Sequence, residues 1–373
     1  HSPYTGVITK IDLATDFNGY KKPAFFIDVE ADEWCEEIDT SEDIVREIKL
    51  SSKEIIERIK DRGIVGLGGA AFPTHVKYMV KKKKKAEYLI INAAECEPYL
   101  TSDNRVILEH TEEVLIGIEI MKKALNINKA KIGIEANKPK AIEALRKLLN
   151  QFPGTEVVPL KTKYPQGAEK QLIYALTKRE VPSGKLPIEV ACVVNNVGTA
   201  FAIYQAIQKN RPLIDNILTF TGKKATNNKN LLVRVGTSIQ SIIDFCGGLP
   251  EDTGKVINGG PMMGKAMMDL TAPTTKTTSS ILVMSEAESS RKKMTNCLRC
   301  GKCVSACPMG LEPIQIALLA KQERWEEAEK ECAMDCIECG SCLFTCPAGQ
   351  PLLDIIRVAK SKIGAIRRAR SKK

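Results

Sequence analysis

A multi-domain α/β chain is what the sequence predicts, on three observations. Apolar strand-like runs alternate with amphipathic helical runs from about residue 50 to 211, and short strands with glycine turns take over from 212 to 285. Two cysteine runs of one spacing, CLRCGKCVSACP at 297–308 and CIECGSCLFTCP at 336–347, then stand in otherwise helix-like sequence. Alternating strands and helices argue a parallel sheet covered by helices. At roughly 150 residues per domain, a chain of 373 residues has room for an enzyme upstream of the cysteines.

The elements follow in order. HSPYTGVITKIDL lacks an initial Met and reads as a glycine-turned strand pair over residues 1–30, with the N-terminal side expected to be clipped. An acidic linker, EEIDTSEDIVRE, occupies 31–49. KEIIERIKDRG puts Ile55, Ile56 and Ile59 on one helical stripe, with Gly63 placed to end it. The strand runs AEYLIINA, AKIGIEAN, TEVVPL and EVACVVNN then alternate with helical RVILEHTEEVLIGIEIMKKAL, PKAIEALRKLLNQ, AEKQLIYALTK and AFAIYQAIQKN. After residue 212 come DNILTFTGKK, NLLVRVGTS, the short helix IQSIIDFCGGL, and KVINGGPMMGK, a small α+β module. From 286 helical EAESSRKKMTN enters the cysteine region, and LEPIQIALLAKQERWEEAEKECAM forms a helix between the runs.

The formal charge of +10 is local. The segment 357–373 carries eight Lys or Arg and no acid, leaving +2 for the rest, and Lys81–Lys85 form a run of their own. A basic patch on a nearly neutral body argues against a nucleic-acid binder. KKKKK reads as a solvated loop or helix end. The tail either is solvated or docks on anionic lipid or an acidic partner, at about 1 kcal/mol per basic residue near such a surface. No apolar run approaches the roughly 20 residues of a membrane span, and no signal peptide is apparent. Eight of thirteen cysteines fall in the two runs, which calls for a reducing compartment, the cytosol, rather than disulfides.

Each run is C-x2-C-x2-C-x3-C-P, the spacing that holds [4Fe-4S] clusters, with the fourth thiolate crossing to the other cluster. Cluster one is assigned to Cys297, Cys300, Cys303 and Cys346, and cluster two to Cys336, Cys339, Cys342 and Cys307. Gly301 and Gly340 permit the tight turn, and Pro308 and Pro347 end each loop where no N–H is needed. Structural zinc would use paired C-x2-C units instead. Cys35, Cys96, Cys192, Cys246 and Cys332 read as ordinary thiols.

IVGLGGAAFP, between two helical runs, is a glycine-rich turn that can offer backbone N–H groups to phosphate, but it is not G-x-G-x-x-G. NAAECEP closes the strand AEYLII and NNVGTA closes EVACVV, and in open α/β folds ligands sit at the carboxyl ends of strands. Amides there can bond a flavin edge or ribityl hydroxyls, and Glu95 and Glu97 can orient a nicotinamide ribose.

Taken together, GLGGAAFPTHVK, NAAECEP, the Tyr164–Gly167–Glu169 spacing in YPQGAEK, and VVNNVGTA resemble the FMN- and NADH-binding subunit of respiratory complex I. With two downstream cysteine runs and GGPMMGK, the whole resembles the RnfC family, found in Rnf ion-translocating ferredoxin:NAD oxidoreductase complexes. The resemblance implies a complex I flavin-subunit-like FMN and NAD(H) domain at 50–211, a soluble-ligand-binding β-grasp (SLBB) module at 212–285, and an α-helical two-cluster ferredoxin domain at 286–356. It also implies that residues 1–30 are the remnant of a biotinyl-like hybrid domain.

It further implies that Gly66, Gly68, Asn92, Tyr164, Asn195 and Asn196 contact FMN, that Phe72 stacks near the nicotinamide, that Glu97 and Glu169 hydrogen-bond it, and that Lys77 faces a phosphate. Gly69, Glu95, Gly167 and Thr199 complete the expected cofactor-binding set. Leu67, Ala94 and Ala168 depart from the complex I pattern, where Arg, Asp and Glu are usual. The expected activity is hydride exchange between NAD(H) and FMN, then one-electron steps to the two clusters. The expected setting is the cytoplasmic face of the membrane, with partner subunits that include a ferredoxin-like iron–sulfur protein. Two other readings are a soluble cobalamin-reductase-type flavoprotein of a microcompartment and a non-catalytic iron–sulfur relay.

Overall fold

Antiparallel pairing opens the chain: β1 (Thr5–Thr15) and β2 (Lys21–Ala31) form a hairpin. Its turn is tied by the Asp16 carboxylate, which accepts from the N–H groups of Asn18 and Tyr20, each at 2.9 Å, and Gly19 supplies the left-handed backbone (φ +86°). The computed structural model describes residues 1–80 and 84–371; Lys81 to Lys83 of the lysine run and the last two lysines of the tail lie outside the described residues. The chain divides into two compact units. One comprises His1–Val181, Leu186–Gly260 and Gly264–Glu286, the other Pro182–Lys185, Pro261–Met263 and Ala287–Lys373.

In the first unit the segment expected as an acidic linker lies against the body. Asp39 accepts from the buried Lys209 ammonium at 2.7 Å, the Val45 N–H donates to the Tyr204 hydroxyl at 3.1 Å, and Ile44 and Ile48 pack on the core. Helix α1 (Ser52–Asp61) starts at a reciprocal cap: Ser51 Oγ accepts from the Glu54 N–H, and Glu54 Oε2 accepts from the Ser51 N–H at 2.7 Å. It buries Ile55 and Ile59 fully, and Gly63 (φ +66°) turns the chain away.

After α2 (Thr74–Tyr78) the chain runs β3 (Tyr88–Ala93), α3 (Ser102–Glu109), α4 (Thr111–Leu125), β4 (Lys129–Glu135), α5 (Pro139–Leu148), β5 (Thr155–Leu160), α6 (Glu169–Thr177), β6 (Cys192–Asn196) and α7 (Val197–Gln208). The four strands are parallel, in the order β5-β4-β3-β6. The single helix expected over RVILEHTEEVLIGIEIMKKAL is two. His110 leaves the helical region (φ −130°, ψ 40°) because its ring stacks on Phe201 at 4.3 Å and its Nδ1 lies 3.0 Å from Glu113.

The same unit holds β7 (Asp215–Thr221), β8 (Lys229–Arg234), α8 (Ile239–Phe245), β9 (Thr253–Asn258), β10 (Lys265–Ala266) and β11 (Ser280–Ser285), with sheet order β10-β9-β11-β7-β8. The first and last strands, β7 and β11, are parallel neighbours, and the other pairs are antiparallel. SILVMS, which the periodicity reading left unassigned, is therefore a central strand. Its near-continuous burial hides the alternation that marks a half-exposed strand.

The second unit contains α9 from its second residue (Glu286–Ser289), α10 (Lys302–Ser305), α11 (Pro313–Lys321), α12 (Trp325–Lys330), α13 (Ser341–Thr345) and α14 (Leu352–Arg370). EAESSRKKMTN is helical only over its first four residues. The expected helix between the cysteine runs breaks at Glu323 (φ +57°), where the Arg324 N–H returns to the Leu319 carbonyl at 3.0 Å in a left-handed C-terminal cap. The basic tail is not a free extension. Helix α14 buries Ile356, Ala359 and Ile363, and four of its cations are paired within the unit: Arg357 and Lys360 with Glu338, Arg367 with Glu329, and Arg370 with Glu326 and Glu329.

One close approach sets the helix layer on the parallel sheet. A Cβ at Gly117 of α4 would stand 2.1 Å from the Ala200 carbonyl oxygen of α7. Gly117→Ala gains about 1 kcal/mol of helix propensity but must push two buried helices apart, at about 1–3 kcal/mol or more. The expected result is a thermal midpoint lowered by a few degrees. An unchanged midpoint in calorimetry would show that the helices do not cross this tightly.

Candidate cofactor sites

The parallel sheet places two of the singled-out motifs side by side. From β3 the chain proceeds outward to β4 and β5, then returns to lay β6 on the other side of β3, so the strand order reverses between β3 and β6. Ile91 stands opposite Asn195, and Asn92 opposite Asn196. This is the crevice in which open α/β sheets bind ligands.

The glycine loop closes over the same point. The Gly66 N–H donates to the Phe72 carbonyl at 2.9 Å, Val65 bridges Pro73, and the Leu67 N–H donates to the buried Thr199 Oγ1 at 3.0 Å. A Cβ at Gly68 would lie 3.7 Å from Asn196 Cβ, whereas one at Gly69 (φ +102°) would meet nothing within 4 Å. Asn196 caps α7, accepting from the Gly198 N–H at 2.8 Å and donating to Asp103 Oδ2 at 2.7 Å. Leu67 and Gly68 therefore meet Thr199 and Asn196 at one helix start, with Gly66 and Gly69 on either side of them in the loop. Phe72 presents its ring outward, half-exposed.

Asn92 Nδ2 donates to the Gly167 carbonyl at 2.8 Å, and Asn92 Oδ1 accepts from the Ala94 N–H. Gly167 is required there, since a Cβ would stand 2.3 Å from the Ala94 carbonyl. The Tyr164–Glu169 turn is thus fastened to the end of β3. The Lys77 ammonium donates to the Val194 carbonyl at 2.7 Å, and Glu169 is its acidic neighbour. Burial lowers the Lys77 pKa and raises that of Glu169.

Glu95 and Glu97 part company. Glu95 is buried and caps α3, accepting from the Asp103 N–H at 2.9 Å and from Ser102 Oγ at 3.2 Å, while Glu97 packs against Gly260. Asp103 and Tyr78 were not among the expected site residues. The sequence TSDN carries only a helix-start signal, and burial of an acid beside another acid leaves no trace in spacing.

The fit to a flavin-sized polar group rests on Asn195. It is 2% exposed, and among the described residues its amide atoms and the buried Tyr78 hydroxyl have no well-aligned hydrogen-bond partner, although that hydroxyl lies near enough to interact with the amide. Unpaired buried polar atoms cost about 1–3 kcal/mol each. A buried amide at the switch point that the chain satisfies poorly suits a ring edge that presents both a donor and an acceptor.

In the second unit the two cysteine runs repeat one backbone. Arg299 and Glu338 are left-handed (φ 54° and 57°), as are Gly301 and Gly340 (φ 70° and 76°). The Arg299 N–H points to Cys297 Sγ and the Glu338 N–H to Cys336 Sγ, each at 3.4 Å. Burial and the neighbouring Cys336, Cys339 and Cys307 push the Cys342 thiol up to about 12, and burial raises Cys303 with Cys346 among its charged neighbours. The fourth cysteine of each run thus lies in the electrostatic surroundings of the other run, as a crossed ligand set requires. Among the described residues no three His, Cys, Asp or Glu side chains converge on a single-ion site.

Comparison with known proteins finds matches over both the parallel-sheet region and the cysteine runs. The Nuo51 FMN-binding domain family matches residues 59–205, and two 4Fe-4S dicluster domain families match residues 289–347 and 262–312. The chain is 49% identical over 302 residues to the C subunit of the proton-translocating ferredoxin:NAD(+) oxidoreductase complex of Clostridium ljungdahlii, covering 80% of this chain and 65% of that protein. It is 46% identical over 319 residues to the C subunit of the Na(+)-translocating ferredoxin:NAD(+) oxidoreductase complex of Acetobacterium woodii, covering 86% and 72%. It is 40% identical to the C subunit of the ion-translocating oxidoreductase complex of Serratia proteamaculans, of which it spans 46%. The chain thus spans only part of the length of each of these relatives. The crystal structure of an NAD+-reducing [NiFe]-hydrogenase in the H2-reduced state shares the fold (TM-score 0.58, 18% identity, 84% of this chain and 63% of that one). A parallel sheet with a glycine loop at its switch point, crossed cysteine runs and these relatives make the chain a member of the RnfC family, the C subunits of ion-translocating ferredoxin:NAD(+) oxidoreductase complexes.

Proposed function

We propose that this chain is the NAD(H)-oxidoreductase subunit of an Rnf-type membrane complex, passing electrons between NAD(H), FMN and two [4Fe-4S] clusters, coupled there to ferredoxin redox chemistry and ion translocation. The observation that carries the reading is the switch-point crevice, where the glycine loop is held to Thr199 and where Asn92, the buried Asn195 and Asn196 stand at the carboxyl ends of two adjacent parallel strands. When bound, FMN would accept two electrons as hydride from the nicotinamide and release them singly. Gly66, Gly68 and Gly69 would admit its phosphate and ring to the backbone, Asn195 would take the ring edge, and Asn196 and Thr199 would hold the loop in place. Phe72 would cover the nicotinamide, with Tyr164, Gly167, Glu97 and Glu169 around it. Lys77, its ammonium on Val194, would act by fixing the end of β6 and through its field rather than by touching a phosphate.

The surrounding assignments follow the same reading. The central parallel pair β7 and β11 supports the β-grasp SLBB module at 212–285, and the hairpin supports the hybrid-domain remnant at 1–30. The setting would be peripheral, on the cytoplasmic face of the membrane. Among the described residues no helix is long and apolar enough to cross one. The partners would be the other subunits, including a ferredoxin-like iron–sulfur protein, and any contact with anionic lipid would fall to tail cations without a carboxylate in salt-bridge range, such as Lys362 and Arg368.

The Asp103 carboxyl beside this crevice binds its proton more tightly than an ordinary aspartate. Burial, and then the Glu95 carboxylate, push it from its ordinary 3.8 up to about 8, against the opposing pull of the Asn196 amide and Lys138. Glu95 and Glu135 are also raised by burial, with Lys138 4.0 Å from Glu95. An acid that binds its proton more tightly folded than unfolded stabilises the fold at low pH. That contribution is lost as pH rises from about 4, where the unfolded chain ionises, through about 8.

Three outcomes are expected. With protein reconstituted anaerobically with iron, sulfide and FMN, NADH bleaches the flavin and reduced-cluster EPR signals follow; dithionite reduction of the clusters with flavin left oxidised by NADH would establish the relay reading instead. Cys346→Ser loses about half the iron and the cluster of the first run; loss of the second-run cluster would refute the crossed assignment. Asp103→Asn leaves the thermal midpoint unchanged near pH 4 and raises it at pH 8, by about 2–4 °C per kcal/mol recovered. A pH profile parallel to that of the parent protein would show that Asp103 ionises normally.

A further inference from the structure

The two cysteine runs share a backbone but not an environment. In the second run Cys339 and Cys342 are buried and Cys336 is half-buried, and the one charged residue inside the loop, Glu338, is held by Arg357 at 3.0 Å and Lys360 at 2.6 Å. In the first run Cys297 and Cys300 are exposed, and every described residue from 291 to 302 is exposed with them. Between Ser290 and Leu311 there are five cations and no acid. Arg291 pairs with Asp354 at 2.6 Å, but among the described residues Lys292, Lys293, Arg299 and Lys302 have no carboxylate within ion-pair distance. The tail, the most basic segment by sequence, has most of its described cations paired; this face does not. Leu298, between two ligands of cluster one, is 65% exposed, and Phe344, two residues before the fourth, is 75% exposed.

Unpaired cations around exposed apolar side chains at the rim of a redox centre have one direct use. Like-signed charge that nothing in the chain neutralises attracts an acidic surface over about a Debye length, roughly 8–10 Å. It raises association rates by about 10–1,000-fold in steered encounters. Apolar groups at the centre supply the short-range contact, as in the core of a protein interface. We propose that the 291–304 face with Phe344 is the docking surface for an acidic one-electron carrier protein, and that cluster one is the centre through which electrons leave or enter the chain. This rests on the cluster assignment of the proposed function but not on its flavin chemistry. The exchange is outer-sphere: in the outward direction the reduced cluster loses one electron and the carrier's cofactor gains it, with no bond formed between them; an oxidised flavin carrier also takes one proton from solvent at N5 on becoming the neutral semiquinone. Commitment to a protein rather than a membrane follows from position, because steering charge placed around an exposed cluster ligand serves an electron partner.

The test uses the full chain with both clusters reconstituted and reduced by dithionite, so that neither NADH nor flavin is involved. Acidic flavodoxin is the probe, with binding followed by calorimetry and electron transfer by the probe's own visible bands. Lys292→Glu with Lys293→Glu should weaken binding and slow transfer at least tenfold at low salt and flatten the salt dependence. Hexaammineruthenium(III), a small cation, should oxidise the variant at least as fast as the parent. The neutral pair Lys292→Gln and Lys293→Gln should fall between, which keeps the test decisive if the reversed variant loses clusters by EPR. Reversal of Lys362 and Arg368 in the tail should change nothing. Equal binding and rates in parent and face variants would overturn the proposal. So would a loss produced only by the tail variant, or a face that binds anionic phosphatidylserine vesicles and not flavodoxin.

Discussion

The hydrogen-bonded register between β3 and β6 is the constraint on which the rest depends. It aligns Asn92 with Asn196 at the carboxyl ends of two adjacent parallel strands, at the place where chain direction across the sheet reverses. Because side chains alternate along a strand, a slip of one residue would turn Asn195 and Asn196 to the opposite faces. The register is secured from outside the sheet. Lys77 reaches from α2 to the Val194 carbonyl, Thr199 holds the glycine loop onto α7, and Asn92 draws the Gly167 turn onto β3. Three separate segments are therefore referred to one pair of strand ends.

That arrangement brings ionisable groups into poorly solvated positions. A buried charge costs several kcal/mol unless it is paired or satisfied by hydrogen bonds. Glu95 is satisfied by the N–H groups at the start of α3, so its burial also fixes the helix that carries Asp103. Asp103 in turn accepts from Asn196, which caps α7. The two helix starts are thereby joined through an acid and an amide, with no water needed between them. Groups held in place in this way before a ligand enters are those whose dipoles act most strongly on it.

Much of this was legible in residue order because the relevant signals are local. The four parallel strands, the hairpin and the cysteine runs each carry their own period or spacing, and positions 92 and 195–196 could be placed at strand ends from the runs that precede them. Failures came where a distant contact overrode a local preference. His110 breaks a continuous helical pattern because Phe201, ninety-one residues on, holds its ring. SILVMS is buried on both faces and so shows no alternation. Net charge misled in the tail, since the carboxylates that pair its cations come from α12 and from Glu338 in the second cysteine run. Glu95, expected at the cofactor from its motif, also caps α3, a second role fixed by where that helix begins.

The cysteine repeat shows how one local geometry can serve two different sites. Both loops need a left-handed residue third in the run and a glycine fifth, and both direct an N–H at the first sulfur. Those requirements fix the backbone and leave the side chain at the third position open. Arg299 fills it in the first run and Glu338 in the second. Glu338 is drawn inward because α14 supplies two cations for it, and with it the second run is covered; Arg299 has no such counterpart and stays in water. Net charge and solvent exposure are among the factors that set the potential of an iron–sulfur cluster. Both differ between the runs: Cys297 and Cys300 are exposed beside unpaired cations, whereas Cys339 and Cys342 are buried beside a paired carboxylate. A repeated motif thus gives two inequivalent surroundings, in part because the third residue of the loop reverses sign and α14 pairs with only the acidic one.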